Sequence, residues 1–164
     1  MNWEAVGAVA EMVAALGVIG SLLYLGFQIR AQNRESRLNA VHNTTDQYNS
    51  FIGDLATNQG LAEVFLKGSV DMTSLDQVET LRYSSQLGRT FRIVESMYAQ
   101  HTSGVMDKET WEAMTHGIED VCSLPGVRSW WPTRSHWYIP AFQSFIQPMI
   151  DDEGVQRLYK SENV

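Results

Sequence analysis

The sequence is poor in the residues that build covalent, metal-bound or nucleotide-binding sites. It has 164 residues and a single cysteine, Cys122, so no intramolecular disulfide framework can form. It contains no cysteine pair at metal-ligand spacing, no His-Glu-x-x-His, no Gly-x-x-x-x-Gly-Lys and no Gly-x-Ser-x-Gly. The Glu-x-x-His of di-iron bundles is also missing. These absences remove the well-marked enzyme classes, and one free cysteine agrees with a reducing compartment.

Positive charge is scarce as well. Lys and Arg number 12 against 19 Asp and Glu, which gives a net charge of −7. Residues 1–37 hold three acidic residues and three arginines, so all of the net negative charge belongs to residues 38–164. Nucleic acids attract clustered Lys and Arg, so we expect no nucleic-acid partner and no broad binding to anionic lipid.

Charge is almost missing from one apolar run near the N-terminus. Residues 5–29 carry only Glu11, and residues 12–27 carry no charge. A bilayer core needs roughly 20 helical residues, so the run predicts a transmembrane helix over residues 1–30. A signal peptide is disfavoured because no basic residue precedes the run. A buried helix of a soluble protein is disfavoured because the run has no polar face.

Arginines set the predicted direction of this span. Arg30, Arg34 and Arg37 follow the run, and no basic residue precedes it. The positive-inside rule then places Trp3 outside, residues 31–150 in the cytoplasm as a helical domain, and residues 151–164 after it as a polar tail.

The span also carries a stripe of small residues on one helix face. Such residues let two helices approach closely, so we expect packing with a second copy or a partner helix, although Ala and Gly are common in any span. Glu11 beside the stripe is either at the membrane interface or bonded to a partner helix. The predicted helix-packing residues are Gly7, Ala10, Glu11, Ala14, Gly17 and Ser21.

The rest of the chain shows helical spacing and no alternation with a period of two residues. The expected fold class is all-α, with one N-terminal transmembrane helix continuing into a cytoplasmic antiparallel helical bundle. The predicted helices run from the span to Thr57, over 61–67, from a cap at Thr73 or Ser74 to Ser103, and from Asp107 to Leu124. The last segment is broken by Pro132, Pro140 and Pro148, yet its apolar residues predict a final packed helix, and they are Ile139, Phe142, Phe145, Ile146 and Met149.

Two groups of polar and aromatic residues are candidate sites. Arg92 and Glu95 can pair along one helix, and Glu63 or Glu119 could complete either a structural network or a ligand pocket. The network or pocket residues are Glu63, Arg89, Arg92, Glu95 and Tyr98. The aromatic group suits either a membrane or protein interface or the bundle core. Its members are Trp130, Trp131, Trp137 and Tyr138.

Metal and cofactor signals are weak. Glu112 and His116 are four positions apart and could share a metal, but a solvated pair on an amphipathic helix is the favoured interpretation. We therefore predict no metal site, no cofactor and no catalytic residue.

Three segments resemble an uncharacterised family of small single-span proteobacterial membrane proteins with a helical cytoplasmic domain. They are MNWEAVGAVAEMVAALGVIGSLLYLGFQIR, RTFRIVESMYAQHTSGVMDKETWE and PGVRSWW. The resemblance covers most of the chain and implies an inner-membrane location but no activity. Its motif residues are Arg89, Phe91, Arg92, Glu95, Tyr98, Gln100, Gly104, Trp111 and Trp130.

Together these features predict a non-enzymatic, single-pass accessory or scaffold protein. It would contact membrane lipid and assemble through its span with itself or with a larger membrane complex. The alternative is a membrane-anchored sensor or small-ligand-binding helical module near Arg92, Glu95 and Tyr98. An enzyme is the least favoured of the three functions.

Overall fold

The chain forms helices throughout the part that the structure describes. The computed structural model describes residues 3–152, without the side chains of residues 3–6, 8–10, 13–15, 37–38 and 40–41. No strand occurs within this part, so the predicted all-α class is confirmed. The helices are α1 (Trp3–Thr57), α2 (Gln59–Val70), α3 (Gln77–Thr102), α4 (Lys108–Cys122), α5 (Pro125–Arg134) and α6 (Pro140–Asp151), with 3₁₀ turns at Met72–Ser74 and Ser135–Trp137.

The chain divides into two units, residues 1–40 and 41–164. The first unit is helical where it is described, and every side chain described in it is exposed. Among the residues that the structure describes, no helix is both long enough and apolar enough to cross a bilayer. The described helices therefore do not support the transmembrane part of the predicted fold class.

The side chain of Trp3 and the predicted tail from residue 153 onward lie outside the described residues.

Capping residues explain where the helices of the second unit begin. Asn58 caps α2 by accepting the Leu61 amide at 3.0 Å, and Asp107 caps α4 as predicted. Asp76 and Glu79 form a reciprocal capping box at the start of α3. The prediction that Thr73 or Ser74 caps α3 is wrong, because both residues belong to a 3₁₀ turn that precedes α3.

Two prolines start helices instead of ending them. Pro125 and Pro140 stand in the first turns of α5 and α6, where a missing N–H costs no hydrogen bond. The sequence prediction treats Leu124, Pro125 and Gly126 as the end of one helix and misses that they begin the next. At the end of α3, Gly104 adopts a positive φ of 70°, a conformation that glycine takes without strain.

The backbones of α2 and α5 come into near contact at two buried glycines. A Cβ on Gly126 would collide with the carbonyl oxygen of Gly68 and lie 2.7 Å from the Tyr83 hydroxyl. A Cβ on Gly68 would lie 2.7 Å from the Tyr83 ring. Only glycine leaves room at either position, so this crossing fixes α5 against α2 and α3.

Candidate functional site

The small-residue stripe of α1 is on the surface where the structure describes it. Gly7, Glu11, Gly17 and Ser21 are exposed, and a Cβ added at Gly7 or Gly17 would meet no atom within 4 Å. Ser21 Oγ donates to the Gly17 carbonyl oxygen at 2.9 Å, so this hydroxyl bonds within its own helix. The side chains of the two alanines lie outside the described residues. The described glycines thus offer open surface, and a packing partner stays a prediction.

Arg92 and Glu95 form an ion pair, as their spacing predicts. Glu95 is buried, and its Oε1 also accepts the backbone N–H of Ile139 at 2.9 Å. Arg92 Nη2 donates to the Trp137 carbonyl oxygen at 3.2 Å, and its guanidinium lies 4.9 Å from the ring centre of Tyr138. The buried carboxylate is therefore satisfied by one cation and one amide. This network ties α3 to the segment before α6.

The other acidic partners proposed for this network are elsewhere. Glu63 is exposed and accepts from Gln59 Nε2 at 2.7 Å. Glu119 lies 3.5 Å from His116 on its own helix. The prediction that either completes the Arg92–Glu95 network is wrong, because a backbone amide distant in sequence takes that place.

Arg89 points to a different helix. Its Nη1 donates to Asp54 at 2.5 Å and its Nη2 donates to Ser50 at 3.1 Å. Both partners belong to the last turns of α1, which lie in the second unit. Arg89 therefore joins α3 to α1 and takes no part in the Arg92–Glu95 network.

Three of the four predicted interface aromatics are core residues. Trp130 and Trp131 are fully buried and Tyr138 is 4% exposed, whereas Trp137 is 48% exposed. The Trp131 ring centre lies 4.9 Å from that of Phe91 and 5.4 Å from that of Tyr138. The interface hypothesis is wrong for the three buried residues, and the alternative of core packing describes them.

Tyr98 belongs to the same aromatic packing. Its ring centre lies 5.1 Å from Phe145, 5.7 Å from Phe142 and 6.1 Å from Trp111. Arg92 and Glu95 contact each other and Tyr98 contacts the core, and a small-ligand pocket around these three residues stays a prediction.

The cysteine and the two candidate metal ligands, Glu112 and His116, are buried or paired. Burial raises the pKa of the Cys122 thiol to about 12, so it is protonated and weakly nucleophilic at neutral pH. Glu112 pairs with Lys108 at 3.3 Å, so the two candidate metal ligands Glu112 and His116 each face another side chain. Within residues 3–152, no three His, Cys, Asp or Glu described by the structure gather as a metal site.

A cavity of about 470 Å³ lies between α1, α3 and α4, entirely within the second unit. It is partly open to solvent. Its volume is that of a typical small-molecule site. The lining residues are Tyr48, Phe51, Thr90, Phe91, Ile93, Val94, Met97, Thr110, Ala113, Met114, Gly117, Ile118 and Val121.

Polar side chains join the helices beyond each end of this cavity. Gln100 Nε2 donates to Thr44 Oγ1 at 2.6 Å near one end, and Arg89 contacts Asp54 near the other. These two contacts link α1 to α3 on either side of the cavity along α3. This cavity is the candidate functional site.

The sequence indicates the walls of the cavity but not the space between them. Met114, Ile118 and Val121 form the apolar face predicted for α4, and Phe91 and Val94 form that of α3. A periodic apolar face predicts burial, yet it does not say whether another helix or a ligand covers it.

Outside comparisons do not narrow the function of this cavity. Searches against protein-family models, curated proteins and solved structures find no match for the chain.

Proposed function

We propose that this chain is a single-pass membrane accessory or scaffold protein, anchored in a bacterial inner membrane by the first part of α1. The observation that carries the proposal is the exposure of large apolar side chains along residues 12–29, each between 48% and 70%. They are Met12, Leu16, Val18, Ile19, Leu22, Leu23, Tyr24, Leu25, Phe27 and Ile29.

These side chains surround the helix on all sides. Successive residues differ by about 100° around the axis, so the four successive side chains at positions 22 to 25 already point in directions spread around the whole circumference. A helix with apolar side chains on every side is stable only when lipid or protein covers every side. An exposed apolar surface this long is unusual in water. The side chains of residues 13–15 are outside the described set, so the uncharged length from Met12 to Phe27 is taken from the sequence.

The proposed orientation places residues 41 onward on the cytoplasmic side. Arg30 and Arg34 are exposed in the turns just after the apolar segment, and no basic residue precedes it. The positive-inside rule supports an outer N-terminus for this charge pattern.

Membrane residence is tested by two matched double substitutions in the full chain. Ile19→Arg with Leu22→Arg adds two charges to the apolar segment at a cost of about 5–7 kcal/mol, so we expect loss from alkali-washed membranes. Val78→Arg with Leu81→Arg is the control, because these residues are 60% and 67% exposed at the same spacing on α3. The control should fractionate like the wild type. Equal membrane retention of both variants, or a wild type that washes off, would contradict the anchor.

Assembly through the stripe is the second part of the proposal. Gly17 is exposed and has no atom within 4 Å of an added Cβ, so a neighbouring helix can approach its backbone. In a bilayer, small residues favour such close packing because dispersion and hydrogen bonds drive helix association there.

Gly17→Leu should therefore weaken assembly, and Gly26→Leu should not. Gly26 has equally open surroundings but lies nine positions further, on the opposite side of the helix. We expect Gly17→Leu to reduce the crosslinked oligomer or co-purified complex about ten-fold, a loss of about 1.4 kcal/mol. Crosslinking in native membranes gives the measurement. Equal effects of the two variants would exclude the stripe as the contact, and a wild-type monomer without a partner would overturn the scaffold role.

A second function is favoured by the cavity. We propose that the bundle of residues 41–152 is a binding module for an apolar small ligand. The apolar lining between α1, α3 and α4 supports this function. It replaces the polar pocket around Arg92 and Glu95, whose groups are already paired.

A further inference from the structure

We infer that the cavity between α1, α3 and α4 takes one extended hydrocarbon chain that ends in an uncharged polar group. The inference rests on the second proposed function, since it names the ligand class of that same site. It does not depend on whether α1 is a membrane anchor. The charge, shape and hydrogen-bonding capacity of the cavity each limit which ligands can bind in it.

Charge excludes an ionised group inside the cavity. None of the lining residues that the structure describes is Asp, Glu, Lys, Arg or His. Moving an isolated ion into such apolar surroundings costs far more free energy than its contacts with apolar atoms provide. The part of the ligand held inside is therefore neutral.

Shape favours a narrow ligand. The lining residues of α4 run from Thr110 to Val121, which is about 16 Å of helix. The lining residues of α3 run from Thr90 to Met97, which is about 10 Å of helix. The cavity is thus elongated along α3 and α4, and it suits an extended chain better than a compact ring system.

Hydrogen bonding places the polar end of the ligand. The Thr90 hydroxyl donates to the Gln86 carbonyl oxygen at 2.9 Å, and the Thr110 hydroxyl donates to Asp107 at 2.7 Å. Both protons are therefore donated within or next to their own helices. Among the described lining residues, Tyr48 supplies a third hydroxyl, and this residue is 47% exposed. A ligand's hydroxyl or carbonyl can bond there while its chain extends along α4.

The test uses unbranched primary alcohols, from hexanol to tetradecanol, added to the full chain with ¹³C-labelled methionine methyl groups in lipid nanodiscs. Met97 and Met114 line the cavity, whereas Met149 packs against the core and is not among the described lining residues. We expect saturable shifts at Met97 and Met114 and none at Met149. Affinity should rise about four-fold per added methylene until the cavity is full, and then level off. Partitioning into lipid would give no such plateau.

Two ligands of equal carbon number separate the inference from the function on which it rests. Decanol and adamantanol share one hydroxyl but differ in shape, and we expect decanol to bind at least about ten-fold more tightly. Tighter binding of adamantanol would overturn the extended-chain inference and leave the ligand-binding function standing. If neither alcohol shifts Met97 or Met114, the ligand-binding function itself fails.

A matched pair of glycine substitutions tests whether the alcohols bind in the cavity. Gly117 lines it and Gly53 does not, and an added Cβ would meet no atom within 4 Å at either position. Gly117→Leu fills part of the space and should weaken decanol binding at least about ten-fold. Gly53→Leu should leave the affinity unchanged, and equal weakening by both variants would overturn the assignment. Unshifted Met149 resonances confirm that each variant is folded.

Discussion

Gly126→Ala is expected to destabilise the helical bundle by at least about 3 kcal/mol, enough to lower its melting temperature by about 10 °C. The added methyl group would meet the carbonyl oxygen of Gly68, which is backbone on a neighbouring helix and cannot rotate away. It would also lie 2.7 Å from the hydroxyl of Tyr83, a residue with no exposed surface. Relief requires α5 to move off α2, and that movement opens the core.

Gly53→Ala is the control for this substitution. Gly53 lies inside α1 with no atom within 4 Å of an added Cβ. Alanine is the better helix former, so this variant should be neutral or more stable by up to about 1 kcal/mol. Circular dichroism melts of the full chain in mild detergent compare the two. An unchanged melting temperature for Gly126→Ala would show that α2 and α5 are not in backbone contact.

Trp131→Ala should cost about 3–5 kcal/mol, because it removes a fully buried indole from the centre of the core. The ring packs against Phe91 and Tyr138, and its Nε1 donates to Gln147 Oε1 at 3.2 Å. Truncation leaves a cavity and an amide oxygen without its donor. Denaturant unfolding of the full chain measures the loss, and near-ultraviolet dichroism should lose intensity with it.

Trp137→Ala separates burial from residue type. Trp137 stands six positions later, is 48% exposed, and has the Arg134 guanidinium 5.0 Å from its ring centre. Its loss should cost no more than about 1 kcal/mol. Similar destabilisation by the two substitutions would contradict the core assignment of Trp131. A large effect on partner binding from Trp131→Ala without loss of stability would restore the interface hypothesis.

The sequence predicts helix class and several helix ends because these depend on neighbouring residues. Asp107 caps α4 and Thr57 ends α1 where local capping and breaking signals place them. Asp76 was missed as a cap because Thr73 and Ser74 offer the same chemistry a few residues earlier. When several neighbouring residues could cap a helix, the packing of the turn decides which one does. The local sequence pattern carries no information about that packing.

The candidate site could be predicted only in part, because its decisive contacts are distant in sequence. The spacing of Arg92 and Glu95 predicts their pair, but the Ile139 amide that completes it comes from the loop before α6. The burial of Trp130 and Trp131 depends on Pro125 starting a helix that turns both rings inward. The cavity depends on the distance between α1 and α4, and no spacing along either helix encodes that distance.

Because the thiol of Cys122 is protonated and fully buried, an introduced cysteine can be labelled in this chain without competition from the native one. It is the only cysteine of the sequence, and its raised pKa and lack of exposed surface keep it from maleimide reagents in the folded protein. A cysteine introduced at an exposed position such as Leu81 would react alone. A single fluorophore or spin label can therefore be attached at any chosen surface position without first removing a native residue.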